Sequence, residues 1–171
     1  MNFLQNYDEN VVNYDLINKF SYKHFKHVPK LSYIVLSINL KKTDINSLLA
    51  SFVAAEVLTL QKSFLNVSKT SNISFNLIKG HPIGCKVNLR KKKKEQFLHL
   101  VTNNIPAKSF VHVDCNKNLF LLKVDNLLIF KKLEINYKFF KNLSGFNINI
   151  ILTNCNLNET FFLLKSCKLV S

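Results

Sequence analysis

Residues 73–90 read Ile73-Ser74-Phe75-Asn76-Leu77-Ile78-Lys79-Gly80-His81-Pro82-Ile83-Gly84-Cys85-Lys86-Val87-Asn88-Leu89-Arg90. In the first half, Ile73, Phe75 and Leu77 alternate with Ser74, Asn76 and Ile78. In the second, Ile83, Cys85, Val87 and Leu89 share one face, and Gly84, Lys86, Asn88 and Arg90 the other. A period of two marks a strand, because successive side chains leave an extended backbone on opposite sides. With the Lys79-Gly80-His81-Pro82 turn between them, the two runs predict paired strands, apolar beneath and polar or basic above.

The same reading extends outward. Ile34, Leu36, Ile38 and Leu40 alternate with Val35, Ser37 and Asn39, and Phe146, Ile148, Ile150 and Leu152 repeat the pattern near the end. Residues 2–20 predict a helix with Phe3, Tyr7, Val11, Tyr14 and Ile17 as its apolar stripe. Asp44 caps a second helix that turns Leu48, Phe52, Ala55 and Leu60 inward. A third presents Phe97, Leu98 and Val101 and stops at Pro106. Residues 109–130 read as short strands broken at Asn116–Asn118 and at Asp125–Asn126. Asn156, with Glu159 three residues on, sets a capping box for a last helix through Phe161 and Leu164, and Lys165 and Lys168 suit its negative end. The fold class is α+β: a mainly antiparallel sheet, helices packed on one face, and a protruding basic hairpin over residues 64–90. No linker rich in Pro, Gly or Ser divides residues 1–171, so a single domain is expected.

At 171 residues and 47% hydrophobic content the chain can fill a core. Its apolar runs are too short for a membrane span, so no membrane insertion is expected. Four cysteines without a CxxC pair fit neither a zinc ribbon nor a disulfide scaffold. The net charge is +14, unevenly spread: +1 over residues 1–60, +9 over 61–94 and +4 over 95–171. The middle segment holds nine basic residues and no acid. A single-sign field so concentrated points to a polyanion, RNA or DNA, ahead of an anionic membrane or a merely solubilising surface.

No catalytic constellation stands out. His24, His27, His81, His99 and His112 form neither an HExxH pattern nor a close metal triplet, and ordinary surface or capping roles explain them. Cys85 falls on the apolar strand face, the place of a buried and inert thiol, and Cys115, Cys155 and Cys167 have no adjacent base in sequence. Residues 57–94 lack the clustered acids that metal-dependent cleavage of polynucleotides uses. Three glycines, Gly80, Gly84 and Gly145, cannot make a GxGxxG or Walker loop. No enzyme, cofactor or metal is called for.

The basic residues are the candidate site. Lys86 and Arg90 lie on the polar strand face, and Lys91, Lys92, Lys93 and Lys94 prolong it past the strand end. Such a row meets phosphates through Coulombic attraction and counterion release, which positions RNA without reading its bases. Lys62, Lys69 and Lys79 add a second group at the hairpin end. A solvated lysine tail would account for Lys91–Lys94 alone, but not for the basic strand face as well.

The hairpin also carries a family likeness. GHPIGCKVNLR at 80–90 closely resembles GMPIGCKVTLR, the central segment of the large-subunit ribosomal protein five family. In the same order, VPKLSYIVLSIN at 28–39 is similar to the family's VPRLEKIVLNMG, and LLIF at 127–130 with EINY at 134–137 to its LIFPEIDY. SGFNINIILT at 144–153 and ETFFLLK at 159–165 are similar to RGMDIVIVTT and the closing EAKALLK, and LQNYDENVV at 4–12 to the opening helix. The likeness spans almost the whole chain.

The resemblance implies a noncatalytic protein of the central protuberance, bound to 5S rRNA and large-subunit rRNA among neighbouring ribosomal proteins. It implies a loop reaching the peptidyl-site tRNA, with Lys69 and Lys79 as its basic contacts, and a bridge to a small-subunit protein. By the same matching Lys86 and Arg90 belong to the adjoining strand, while Gly80 and Gly84 allow a tight turn and close approach of backbone to RNA. The chain departs from the family where four lysines replace the glycine and mixed helix start after Arg90. It departs again where Leu40-Lys41-Lys42 replaces glycines, after Pro106 where the basic RxRDFRG-like stretch is gone, and around Cys115–Leu119 where the Gly-rich turn is missing. These losses resemble drift in a mitochondrial version, with a plastid or apicoplast version as the alternative. Composition agrees: 23 of 24 basic residues are Lys, and Asn supplies 23 more, as AT-rich coding would give. Asp8, Glu9 and Asp15 fall where an import peptide would be acid-free, so the chain is expected to be either cytosolic or both encoded and used inside an organelle. The resemblance then implies the mitochondrial matrix. The alternatives in other classes are a maturation or splicing factor outside the ribosome and an RNA-processing enzyme.

Overall fold

A computed structural model describes residues 7–40, 44–75, 77–105, 110–114, 119–143, 145–153, 156–167 and 169. The expectations placed on Phe3, Asn76, Pro106, Cys115, Asn116–Asn118, Cys155 and Lys168 lie outside them. Six strands form one sheet, β1 Lys30–Asn39, β2 Phe64–Val67, β3 Pro82–Leu89, β4 Phe110–Asp114, β5 Leu119–Val124 and β6 Phe146–Thr153, in the order β2-β3-β1-β6-β5-β4. The β2–β3 and β4–β5 pairs are antiparallel. The helices are α1 Asn13–Lys19, α2 Ile45–Thr59, α3 Lys91–Asn104, α4 Lys131–Glu134, α5 Tyr137–Phe140 and α6 Leu157–Ser166. The class is α+β, an antiparallel sheet with helices on one face.

The alternations in β1, β3 and β6 are real. Ile34, Leu36 and Ile38, then Cys85, Val87 and Leu89, then Phe146, Ile148, Ile150 and Leu152 are all buried, while the residues between them in each run stay partly or fully exposed. One covered face and one open face is what a period of two encodes.

The chain divides into two compact units. The first comprises residues 1–34, 89–123 and 149–171. Its core takes in Val12, Leu16, Val28, Phe97, Val101, Phe120, Leu122 and Leu164. Here α1 meets α6 through Phe20 and Phe162, whose rings sit edge to face at 6.0 Å. The second comprises residues 35–88 and 124–148. Its core gathers Leu36, Ile38, Ala54, Ala55, Leu58, Val87, Phe130 and Leu133. Cys85 lies under α2, its thiol donating to the Ser51 carbonyl at 3.3 Å.

Four expectations change. The apolar stripe of the first helix is Val12 and Leu16, with Val11, Tyr14 and Ile17 exposed. Residues Asp8–Val12 form a π-helical turn, which takes up more residues per turn than an α-helix, so a 3.6-residue phase carried forward from Tyr7 slips. In α2 the buried face is Ser51, Ala54, Ala55, Leu58 and Thr59, and Leu60 is exposed. The helix ends one residue earlier, with Leu60 as a left-handed cap at φ 52° whose N–H donates to the Glu56 carbonyl. Residues Ile73–Phe75 are a 3₁₀ turn, not a strand, and Ile73 is 93% exposed. Asn72 and Leu77 exchange backbone hydrogen bonds at 2.8 and 3.0 Å, closing a small loop of their own, and β2 takes the pairing with β3. At α6 the Asn156 side chain donates to Glu159 Oε1 at 3.2 Å instead of accepting from the helix backbone. Thr160 supplies the local closure through its N–H and hydroxyl to the Asn156 carbonyl. The short helices α4 and α5 went unread in the sequence.

Candidate nucleic-acid interface

In the second unit the β2–β3 hairpin carries Lys62, Lys69, Lys79 and Lys86, all exposed. Phe64 lies opposite Lys86 in the ladder, so an exposed aromatic and a lysine share one side of the hairpin. Beyond Val67 the chain is pinned at a neck. Ser68 N–H donates to the His81 carbonyl at 2.9 Å, Gly80 N–H donates to the Ser68 carbonyl at 3.0 Å, and the Ser68 hydroxyl donates to the Ile78 carbonyl. Lys69 and Lys79 adjoin this neck and so are brought together at the base of the loop. Gly80 takes φ +89°, a conformation that L side chains rarely adopt. Gly84 serves a different end: a Cβ there would lie 2.0 Å from the Ile38 carbonyl oxygen. The close backbone approach at Gly84 is to the chain's own strand β1. Lys62 is two residues ahead of Phe64, in the connection where Glu56 Oε1 accepts from Ser63 N and Oγ at 3.0 and 3.1 Å.

In the first unit the basic run is helical. Lys91–Lys94 open α3 and do not prolong the strand, and Arg90 is the extended residue before them. Lys91 holds φ +50°, the left-handed region where a glycine would be at ease. Four cations at the positive end of a helix oppose its dipole, each by about 0.3–1 kcal/mol when exposed. The arrangement is unfavourable for the free chain and suits a run that an anion will neutralise. Lys94 is set apart from the other three: half-buried, it donates from Nζ to the Leu31 carbonyl at 2.7 Å. Arg90 is held as well, its guanidinium 5.6 Å from the Tyr33 ring centre. Neither Tyr33 nor the Leu31 carbonyl figured among the expected site residues. Tyr33 sits on the less buried face of β1, one residue ahead of the alternating run read from Ile34.

The thiol of Cys85 is pushed above its ordinary pKa, chiefly by burial, with the Glu56 carboxylate adding to the effect. Among the described residues no group of three or more His, Cys, Asp and Glu side chains is placed to hold a metal ion. His24 and His27 do lie side by side, with ring centres 5.8 Å apart. No described helix is long and apolar enough to cross a membrane.

The chain is similar over nearly its whole length to known proteins. It is 32% identical over 173 residues to large ribosomal subunit protein uL5m of Reclinomonas americana, covering 96% of this chain and 95% of that one. It is 35% identical over 162 residues to uL5 of Geotalea uraniireducens, with 88% and 87% covered. With uL5 of Blochmanniella floridana the identity is 31% over 172 residues, with 95% and 89% covered. No family model matches the chain.

Proposed function

The chain belongs to the uL5 family of large ribosomal subunit proteins, and from that membership we propose that it is a noncatalytic constituent of the large subunit that binds its rRNA. The observation that carries this reading is identity of about one residue in three, sustained end to end against the uL5m relative. The exposed basic residues of both units support the RNA contact, since a net charge of +14 concentrated in acid-free segments favours a polyanion as partner. In the finer reading the protein sits in the central protuberance with 5S rRNA where that RNA is present. Lys69 and Lys79 at the loop neck then face the peptidyl-site tRNA, and a further surface bridges to a small-subunit protein. The whole of residues 1–171 acts as one ribosomal domain in this reading. A mitochondrial ribosome is the proposed setting, supported by the Lys- and Asn-biased composition.

Sedimentation tests the assignment. Ribosomes of the source, washed in high salt and separated on a gradient, should carry the protein with large-subunit rRNA. Recovery only in the soluble fraction would overturn it and favour a maturation factor.

A further inference from the structure

Between Asp15 and Asp44 the sequence has no acidic residue, yet this stretch holds all six lysines of residues 1–60. Summed over those sixty residues the charge is only +1, which conceals a second basic segment. Its centre, in the first unit, is the turn Lys23–Lys30. Phe25 opens a 3₁₀ turn there and is 61% exposed. Lys30 Nζ sits over its ring, 4.7 Å from the centre. Lys23, His24, Lys26 and His27 around it are exposed.

The turn is well anchored. His27 N–H donates to the His24 carbonyl at 3.0 Å and Val28 N–H to the Phe25 carbonyl at 3.3 Å, and Val28 and Pro29 are buried behind it. Lys30 is fixed through its backbone: its N–H donates to Thr153 Oγ1, and its carbonyl accepts from the same hydroxyl, each at 3.2 Å. The aromatic ring is thus presented to solvent by a constrained backbone, with a cation on one face and lysines on either side.

We propose that Phe25 is a stacking platform for an unpaired RNA base, with Lys23 and Lys26 meeting the adjoining phosphates. This rests on the rRNA-binding reading above. A base offers a π-face to the ring whatever its sequence, and the phosphates on either side are attracted to the exposed lysines. A protein partner burying Phe25 would have to desolvate several cations that have no acid beside them in sequence, which is costly unless it supplies an acid to each.

The test uses the full chain and a short unpaired RNA carrying a fluorescent purine analogue. Binding should quench the analogue. Phe25→Leu should remove the quench and weaken binding by about 5- to 150-fold, whereas Phe25→Trp should keep both. Lys23→Gln with Lys26→Gln should instead lower the dependence of affinity on salt while the quench on saturation persists. Because Phe25 is exposed, an unchanged thermal melt will confirm that each variant is folded. Undiminished affinity and quench in Phe25→Leu, or equal binding of a fully paired duplex, would overturn the stacking site and leave the rRNA reading standing. Failure of the unaltered chain to bind RNA would overturn both. Binding to phosphatidylserine vesicles that is lost in Phe25→Leu, with RNA binding intact, would assign the ring to a membrane and overturn the proposal.

Discussion

Cys85 is the most enclosed reactive group in the described core. It is 0% exposed, its thiol donates to the Ser51 carbonyl, and burial raises its pKa. Alkylating reagents should therefore leave it untouched in the native protein and label it only on unfolding, which mass spectrometry of partly denatured samples can follow. The sign of its pH effect is fixed. The folded thiol keeps its proton where the unfolded thiol has lost it, so this contribution is whole below the ordinary thiol pKa of about 8.5. It is lost as pH climbs through that value toward the raised one, with a slope of at most about 1.4 kcal/mol per pH unit. Cys85→Ala should flatten that part of the alkaline stability curve measured by urea unfolding. Cys85→Ser should cost about 1–3 kcal/mol, nearer the lower figure if the shorter hydroxyl still reaches Ser51. Lys91 is the opposite case, a surface residue under backbone strain at φ +50°. Lys91→Gly removes a left-handed penalty of about 1–2 kcal/mol and adds unfolded-chain entropy. The expected net change is a gain of up to about 1 kcal/mol in a denaturant titration.

At the scale of elements, burial decides which patterns could be read. β1, β3 and β6 each press one face into a core, so their alternation carries information. The Ile73–Ile78 run alternates equally well, but the described residues of its apolar half include Ile73, which is almost wholly in solvent, and its backbone bonds close upon themselves. Periodicity records what a core would accept and cannot show whether a core is there. The true partner of β3, Phe64–Val67, has no alternation because both of its sides stay open: Phe64, Leu65 and Val67 are all exposed. The candidate site divides in the same way. Its lysines were legible as an acid-free run, but Tyr33 beneath Arg90 and the carbonyl that holds Lys94 come from a different strand, and no spacing along one segment could reveal them. Both the strand packing and the lysine run can be tested by substitution. Gly84→Ala drives a Cβ into the Ile38 carbonyl, and since backbone must yield, about 3 kcal/mol or more should be lost in chemical unfolding. Replacing Lys91, Lys92 and Lys93 by Gln should lower the slope of log affinity against log salt by up to about 0.9 for each phosphate left without its lysine. Lys94→Gln should hardly change that slope and should lower stability instead, because its ammonium serves Leu31. A slope left unchanged by replacing Lys91, Lys92 and Lys93 would show that these three make no phosphate contact.

For the whole molecule the dominant quantity is charge. A net +14 on 171 residues repels itself, and much of it is gathered in segments that contain no acid: residues 61–94 and the stretch between Asp15 and Asp44. The lysines at the start of α3 add to this by opposing a helix dipole. The free chain and the RNA-bound chain must therefore respond to salt with opposite signs. In the free chain added salt screens like charges, since the Debye length falls from about 10 Å at 0.1 M to about 3 Å at 1 M, and the melting temperature should rise. In the complex the same salt weakens binding, because the counterions released on association must be taken up again as phosphates and lysines part. Binding stabilises only in proportion to the logarithm of ligand concentration over its dissociation constant, so the extra stability contributed by RNA should shrink steadily as salt increases. Melting curves of the chain with and without an rRNA fragment, recorded across a salt series, should converge from opposite directions. A free chain that melts lower in added salt would show that its surface charges are already locally compensated, and that the basic segments are not held in readiness for a polyanion.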